Sequence, residues 1–232
     1  MISLDSLLSL IAPASCVGCQ KDGLPLCNQC YVKFSESYKS IGRCILCNKK
    51  TAGDLCRICN RQTGIDKVFS LGEHNGLLKK LIWDLKFNSS KANISCLASY
   101  LKCELKEFEN SRAVLIPAPT APKRARSRGY DQAKLLAKNL VKLNANWAYK
   151  DLLIRNNDSD QIGLSKLDRK QRTKNLFLLN PSAELKSEYD IAILIDDVIT
   201  TGSTIKAAVE AIAPLKFKHV VLACLSHKPL EP

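Results

Sequence analysis

The chain has 232 residues, 46% hydrophobic and 25% charged, which suits a globular protein and excludes a disordered or fibrous one. It carries 35 Lys and Arg against 22 Asp and Glu, a net charge of +13, and eleven cysteines. No run reaches the roughly 18 apolar residues of a membrane span, and an N-terminus with Asp5 but no early Lys or Arg is a poor signal peptide, so the expected setting is cytoplasmic, with reduced thiols. At the N-terminus, Leu4, Leu7, Leu8 and Ile11 recur at helical spacing and predict a short amphipathic helix over 2–11.

Eight of the eleven cysteines follow as four Cys-x-x-Cys pairs: Cys16/Cys19, Cys27/Cys30, Cys44/Cys47 and Cys56/Cys59. Two thiolates separated by two residues share a tight turn and can face one metal ion, and two such turns complete a tetrahedral set of four sulfurs. A tandem arrangement joins 16/19 to 27/30 and 44/47 to 56/59; a cross-braced one joins alternate knuckles, and spacing alone does not choose, though the tandem form is favoured here. Disulfides, redox dithiols and an iron–sulfur cluster use the same residues. Doubled pairs in a reduced compartment favour two zinc ions, and four-sulfur sites leave no open coordination position, so the metal is expected to be structural. Cys96, Cys103 and Cys224 stand alone and read as ordinary buried or half-buried side chains.

Residues 76–87 place Leu77, Leu78, Leu81, Ile82 and Leu85 on one helical face, and a second helix is expected near 92–107. Ala113–Ile116 reads as a short buried strand stopped by Pro117. The segment 112–150 then holds nine cations against the single Asp131, +8 of the net +13. Lys123, Arg124, Arg126 and Arg128 are expected in a loop, with Lys134, Lys138 and Lys142 along one face of a helix over 131–143. A solvated helix face usually mixes signs, and a pyrophosphate pocket needs only a few cations. A track for a nucleic-acid backbone accounts for the whole set. Tyr130, Trp147 and Tyr149 are close enough in sequence to offer stacking faces, whereas His74, His219 and His227 are scattered and read as structural.

The sharpest chemistry is Ile193–Thr204. An apolar strand, 191–195, ends in Asp196 and Asp197, and Thr200, Thr201, Gly202, Ser203 and Thr204 lead into a helix. A glycine turn at a helix N-terminus exposes N–H groups among hydroxyls, a phosphate cradle, and open α/β sheets place ligands at such strand ends. The two acids suit vicinal sugar hydroxyls or Mg²⁺. Without Gly-Lys-Ser/Thr it is not a Walker A loop, and no Lys or Arg lies near the acids in sequence. A helix over 207–213 and a strand over 220–225 complete an alternation of strands and helices, an α/β fold with a mostly parallel sheet.

The acidic strand end and threonine loop resemble the phosphoribosyl pyrophosphate signature of type I phosphoribosyltransferases. Joined to a cysteine-rich ribbon, the chain resembles the ComF family of competence proteins. Further matches are Gly76 through Lys86-Phe87, and Ile116-Pro117-Ala118-Pro119 with Arg128-Gly129-Tyr130-Asp131-Gln132-Ala133. Gln161-x-Gly163-Leu164-Ser165 and Arg172-x-x-Asn175 complete the set. The family's pattern has an aromatic where this chain has His74, and Asn where it has Asp131.

The resemblance implies a double zinc-ribbon module over 1–63 and a phosphoribosyltransferase-like domain over 64–232, with helices on both faces of the sheet. It implies that Asp196 and Asp197 hold the ribose hydroxyls, directly or through Mg²⁺, that 200–204 hold the 5′-phosphate, and that Pro117, Ala118, Pro119 and Thr120 form a pyrophosphate loop. The function expected is in natural transformation, binding phosphoribosyl pyrophosphate or a related sugar phosphate, and single-stranded DNA on the basic residues, beside other DNA-uptake proteins. A salvage or biosynthetic transferase without a DNA role, and a regulator that keeps the site as a sensor, are the competing readings. The acceptor and any catalytic residue stay unassigned.

Overall fold

A computed structural model of the chain describes residues 14–38, 42–87, 91–156, 176–185, 188–200 and 202–228, with side chains at all of these except 36–38, 87, 91 and 92. The helix expected over 2–11 lies outside the described residues, as do Thr201, Gln161, Gly163, Leu164, Ser165, Arg172 and Asn175.

In chain order the strands are β1 (Ala14–Ser15), β2 (Asp22–Gly23), β3 (Lys67–Ser70), β4 (Ala113–Pro117), β5 (Trp147–Tyr149), β6 (Leu153–Arg155), β7 (Phe177–Leu179), β8 (Ile191–Ile199) and β9 (His219–His227). Five of them form one sheet in the order β3-β9-β8-β4-β5, every neighbouring pair parallel. The pairs β1–β2 and β6–β7 are separate antiparallel ribbons. This is the α/β, phosphoribosyltransferase-like architecture expected from the sequence.

The central strands are continuous apolar runs because both of their faces are covered. Leu115, Ile193, Ile195, Val221 and Leu225 face one side, against Leu81 and Leu85 of the Gly76–Phe87 helix, Leu97 of the Lys91–Glu104 helix and Leu136 of the Gln132–Lys142 helix. Val114, Ile116, Leu194, Leu222 and Cys224 face the other, against Ile205 and Ala208 of the Ser203–Ile212 helix.

The cysteine-rich residues split between these faces. Cys16, Leu26 and Tyr31 are buried with the first cluster, and Cys44, Ile45, Leu46 and Cys59 with the second. Both layers of the core therefore contain side chains from either side of position 63. Of the lone cysteines, Cys224 is buried and Cys96 half-buried, whereas Cys103 is exposed on the outer face of its helix.

Two local expectations change. Residues 122–128 form a short helix rather than a loop, with Pro122 at its start and Gly129 closing it in the left-handed conformation at φ 76°. Proline just inside a helix start and glycine just past its end are each compatible with helix geometry. Trp147 offers no stacking face: it is buried, and its indole N–H donates to the Phe108 carbonyl at 3.0 Å. No helix among the described residues is long and apolar enough to cross a membrane.

Candidate functional site

Strand β8 runs past the 191–195 segment to Ile199. Its pairing with β4 ends at Pro117–Ile195, while β9 accompanies it to His227 opposite Ile199. Asp196 and Asp197 thus stand beyond the carboxyl end of β4. The chain leaves β4 towards β5 and leaves β8 towards β9, on opposite sides, which opens a crevice between them. A cleft of about 410 Å³ occupies it.

The cleft collects most of the residues expected from the sequence. Asp196, Asp197, Thr200 and Thr204 line one side, and Ala118, Pro119 and Thr120 the other. Pro117 is buried as the last residue of its strand. Gly202 turns at φ 67° immediately before the Ser203–Ile212 helix. The Thr120 amide is held at 2.9 Å by Asp131, whose other oxygen accepts from the Lys134 amide at 3.1 Å and caps the Gln132–Lys142 helix. A carboxylate can accept both bonds, which gives Asp131 a structural role.

The basic residues divide. A helix places Arg124 and Arg128, four residues apart, on the same side, and both line the cleft; Arg126 is exposed and absent from its wall. Lys134 pairs with Asp151. Lys123 and Lys142 are exposed, as is Lys138, whose ammonium sits 5.3 Å from the centre of the Tyr149 ring.

Four basic cleft residues had no assigned place in the site from sequence: His74, Lys86, Arg155 and Lys228. They come from four separate elements, so nothing contiguous announces them. Two of them had a sequence signal: Lys86 ends the family-like segment 76–87, and His74, read as structural, stands where the family's pattern has an aromatic. The Lys86 ammonium lies 3.0 Å from the Asp197 carboxylate, so the acids do have a cation beside them, brought from 111 residues away. Arg155 Nε is buried without a hydrogen-bond partner among the described residues.

These contacts set the two acids apart. Burial and the neighbouring Asp197 charge push Asp196 well above the ordinary carboxylate range. Burial also opposes ionisation of Asp197, but Lys86, acting through its charge and its hydrogen bond, holds that carboxyl below the ordinary value. Each carboxylate also accepts the next residue's amide at 2.8 Å. His74 is lowered by burial and then by the Lys86 charge, and its Nδ1 is 2.8 Å from the Ser226 hydroxyl. His227 is buried with Nδ1 3.1 Å from the Ser70 hydroxyl, and burial brings it down to about 4. A floor of two acids ringed by cations suits a polyanion that also presents hydroxyls.

The cysteines gather as two tandem groups, Cys16, Cys19, Cys27 and Cys30, and Cys44, Cys47, Cys56 and Cys59. Within each group the sulfurs all lie within 4.8 Å of one another. Cys19 and Cys27 are 3.7 Å apart and Cys47 and Cys56 3.6 Å. Four sulfurs at about 2.3 Å from a tetrahedral zinc have edges of roughly 3.8 Å, so both groups fit that ion.

Burial works against a Cys16 thiolate, but backbone N–H groups of Cys27, Cys19 and Gly18 outweigh it and bring the thiol down to about 6. In the second group the Cys59 amide, donating to sulfur, brings Cys56 to about 7. Hydrogen bonding with Cys27, and then burial, push Cys30 to about 12. A bound cation would relieve that crowding.

No family model matches the chain. Among curated proteins, Competence protein F of Haemophilus influenzae is 29% identical over 201 residues, 82% of this chain and 80% of that protein. DNA utilization protein YhgH of Escherichia coli is 26% identical over 186 residues, 78% of this chain and 74% of that protein. Competence protein ComFC of Bacillus subtilis is 27% identical over 181 residues, 69% of this chain and 72% of that protein.

Proposed function

Because the chain belongs to the ComF family, we propose that it handles DNA taken up in natural transformation, binding phosphoribosyl pyrophosphate in the β4–β8 cleft and single-stranded DNA on its outer basic face. The observation that carries the first half is the cleft itself: Asp196 and Asp197 beside a glycine-turned threonine loop, opposite the Ala118–Thr120 turn. In this reading Thr200 to Thr204 hold the 5′-phosphate and the two acids hold the ribose hydroxyls. Arg124 and Arg128 face the pyrophosphate across the cleft. Mg²⁺, held through the carboxylates and the diphosphate, would neutralise ligand charge. The protein's own part is positioning and a fixed field of cations.

The second half rests on the exposed cations Lys123, Arg126, Lys138 and Lys142, together with the likeness to a competence protein and a DNA utilization protein. Zinc in the two four-sulfur groups would be structural, since no coordination position remains open.

Two titrations test the halves separately. Calorimetry with phosphoribosyl pyrophosphate and Mg²⁺ is expected to show one site, lost in Asp196→Asn/Asp197→Asn. Fluorescence anisotropy with a single-stranded oligonucleotide is expected to show binding that weakens steeply with salt. Absent or salt-insensitive binding would remove the DNA half. A catalytic transferase is the second reading, favoured by the intact acids and loop; pyrophosphate release with a panel of bases would establish it.

A further inference from the structure

Leu46 lies between the cysteines of the third knuckle, Cys44-Ile45-Leu46-Cys47, and is 5% exposed. Its Cδ2 atom is 3.5 Å from the position a Cβ would take on Gly202. Gly202 is the left-handed residue that turns the threonine loop into its helix, and no side chain caps that helix. The residues flanking the loop, Ile199 and Ile205, are buried in the same cluster as Ile45 and Leu46.

Further along, the Arg57–Thr63 helix packs against the same helix, and Val209 lies 3.3 Å from the position a Cβ would take on Gly64. The knuckle is itself fixed: the Ile45 amide donates to the Asp54 carbonyl and the Asn48 amide to the Cys44 carbonyl, both at 2.8 Å. The Cys44 amide also donates to the Lys49 carbonyl at 2.8 Å, and the four-sulfur group, which fits a metal ion, adds a further constraint.

From these contacts we infer that Leu46 is a positioning residue for the phosphate loop, and that the metal at Cys44, Cys47, Cys56 and Cys59 strengthens sugar-phosphate binding through it. The inference rests on the sugar-phosphate reading of the cleft. A glycine turn has the largest conformational freedom to lose when it closes on a phosphate. Packing one side of it against a metal-braced leucine removes that freedom before the ligand arrives, and preorganisation of this kind raises affinity. By linkage, ligand binding must then tighten metal retention in the same group. The first cysteine group packs on the opposite layer of the core and has no such contact with Gly202.

The test compares wild type, Leu46→Ala and Leu46→Met as zinc-loaded full-length protein, by calorimetry with two probes, ribose 5-phosphate and inorganic pyrophosphate. Leu46→Ala is expected to weaken ribose 5-phosphate about tenfold, within the range that residues touching neither ligand can command. It should leave pyrophosphate, which faces the Ala118–Thr120 turn, unchanged, and Leu46→Met should restore binding. Hydrogen exchange at 202–206 should quicken in Leu46→Ala while β4 stays protected. Equal affinity for ribose 5-phosphate in all three proteins would overturn the inference, as would a parallel loss of both probes, the mark of general destabilisation. A wild type that binds no ribose 5-phosphate would instead overturn the reading beneath it. If Leu46→Ala does not fold, Leu46→Val takes its place in the same comparison.

Discussion

At Asp197 the carboxylate is held ionised by an ammonium 3.0 Å away, while the adjacent Asp196 is held towards its protonated form by burial and by Asp197 itself. One acid of the pair thus carries a charge already balanced within the protein, and the other is poised to take a proton or a cation. Their contributions to stability have opposite signs. Asp197 has a folded pKa below its ordinary 3.8, so its pairing stabilises the fold fully above that value and the stabilisation is lost as pH falls through the lowered one. Asp196, raised above 3.8, costs stability as pH rises towards its folded value. Lys86→Met is therefore expected to destabilise the protein by about 1.5–3 kcal/mol at neutral pH, the scale of a hydrogen bond to a charged group. The deficit should shrink once the pH drops below that of ordinary aspartate titration. Urea unfolding at a series of pH values would read this directly; a deficit that ignores pH would mean that Lys86 acts through packing alone.

The helix over 122–128 sorts the arginines in a way that a loop would not. Arg124 and Arg128 share the cleft side and Arg126 does not, so under the proposed function a single seven-residue element would serve two ligands. Arg124→Ala is expected to weaken phosphoribosyl pyrophosphate roughly tenfold or more, the worth of one charged hydrogen bond, with little change in the salt dependence of DNA binding. Arg126→Ala should do the reverse, lowering the slope of log affinity against log salt by about 0.7 for one lost phosphate contact on a single strand. If both variants act on the same ligand, the division is wrong. The helix ends are readable in the sequence, since Pro122 and Gly129 bracket it, whereas arginines at alternate positions suggest an extended track. The Asp196–Thr204 site was legible because apolar strand, acids, glycine and hydroxyls are contiguous. The places of His74, Arg155 and Lys228 in the site, and the pairing of Lys86 with Asp197, were not, because only the tertiary fold brings four distant elements to one crevice. Spacing alone does not choose between tandem and crossed knuckles, and the structure has the tandem form, the one favoured from sequence.

Across the whole molecule, the two cysteine groups lie on opposite faces of one sheet, and each contributes buried side chains to the layer it covers. Tyr31 stacks on Tyr100 of the Lys91–Glu104 helix at 3.8 Å between ring centres and donates its hydroxyl to Glu104, while Tyr100 donates to the Leu26 carbonyl at 3.0 Å. The first knuckles are thereby sewn to one layer as firmly as Leu46 is to the other. A structural zinc contributes on the order of 10–16 kcal/mol in small cysteine-rich peptides, against a total stability of about 5–15 kcal/mol for a typical domain. Removing both metals should therefore unfold the whole chain, not only its first sixty or so residues. Trp147 is a suitable reporter: it is buried in β5, hydrogen-bonded to Phe108, and belongs to neither cysteine group. Treatment with a strong zinc chelator is expected to release two zinc ions per chain and shift Trp147 fluorescence to the red, with recovery when zinc is restored; a Trp83→Phe background removes the exposed second indole. If two zinc ions are released while Trp147 emission stays in place, the ribbons are a separable module that only rests on the sheet, and the coupling of metal to fold argued from the shared core is absent.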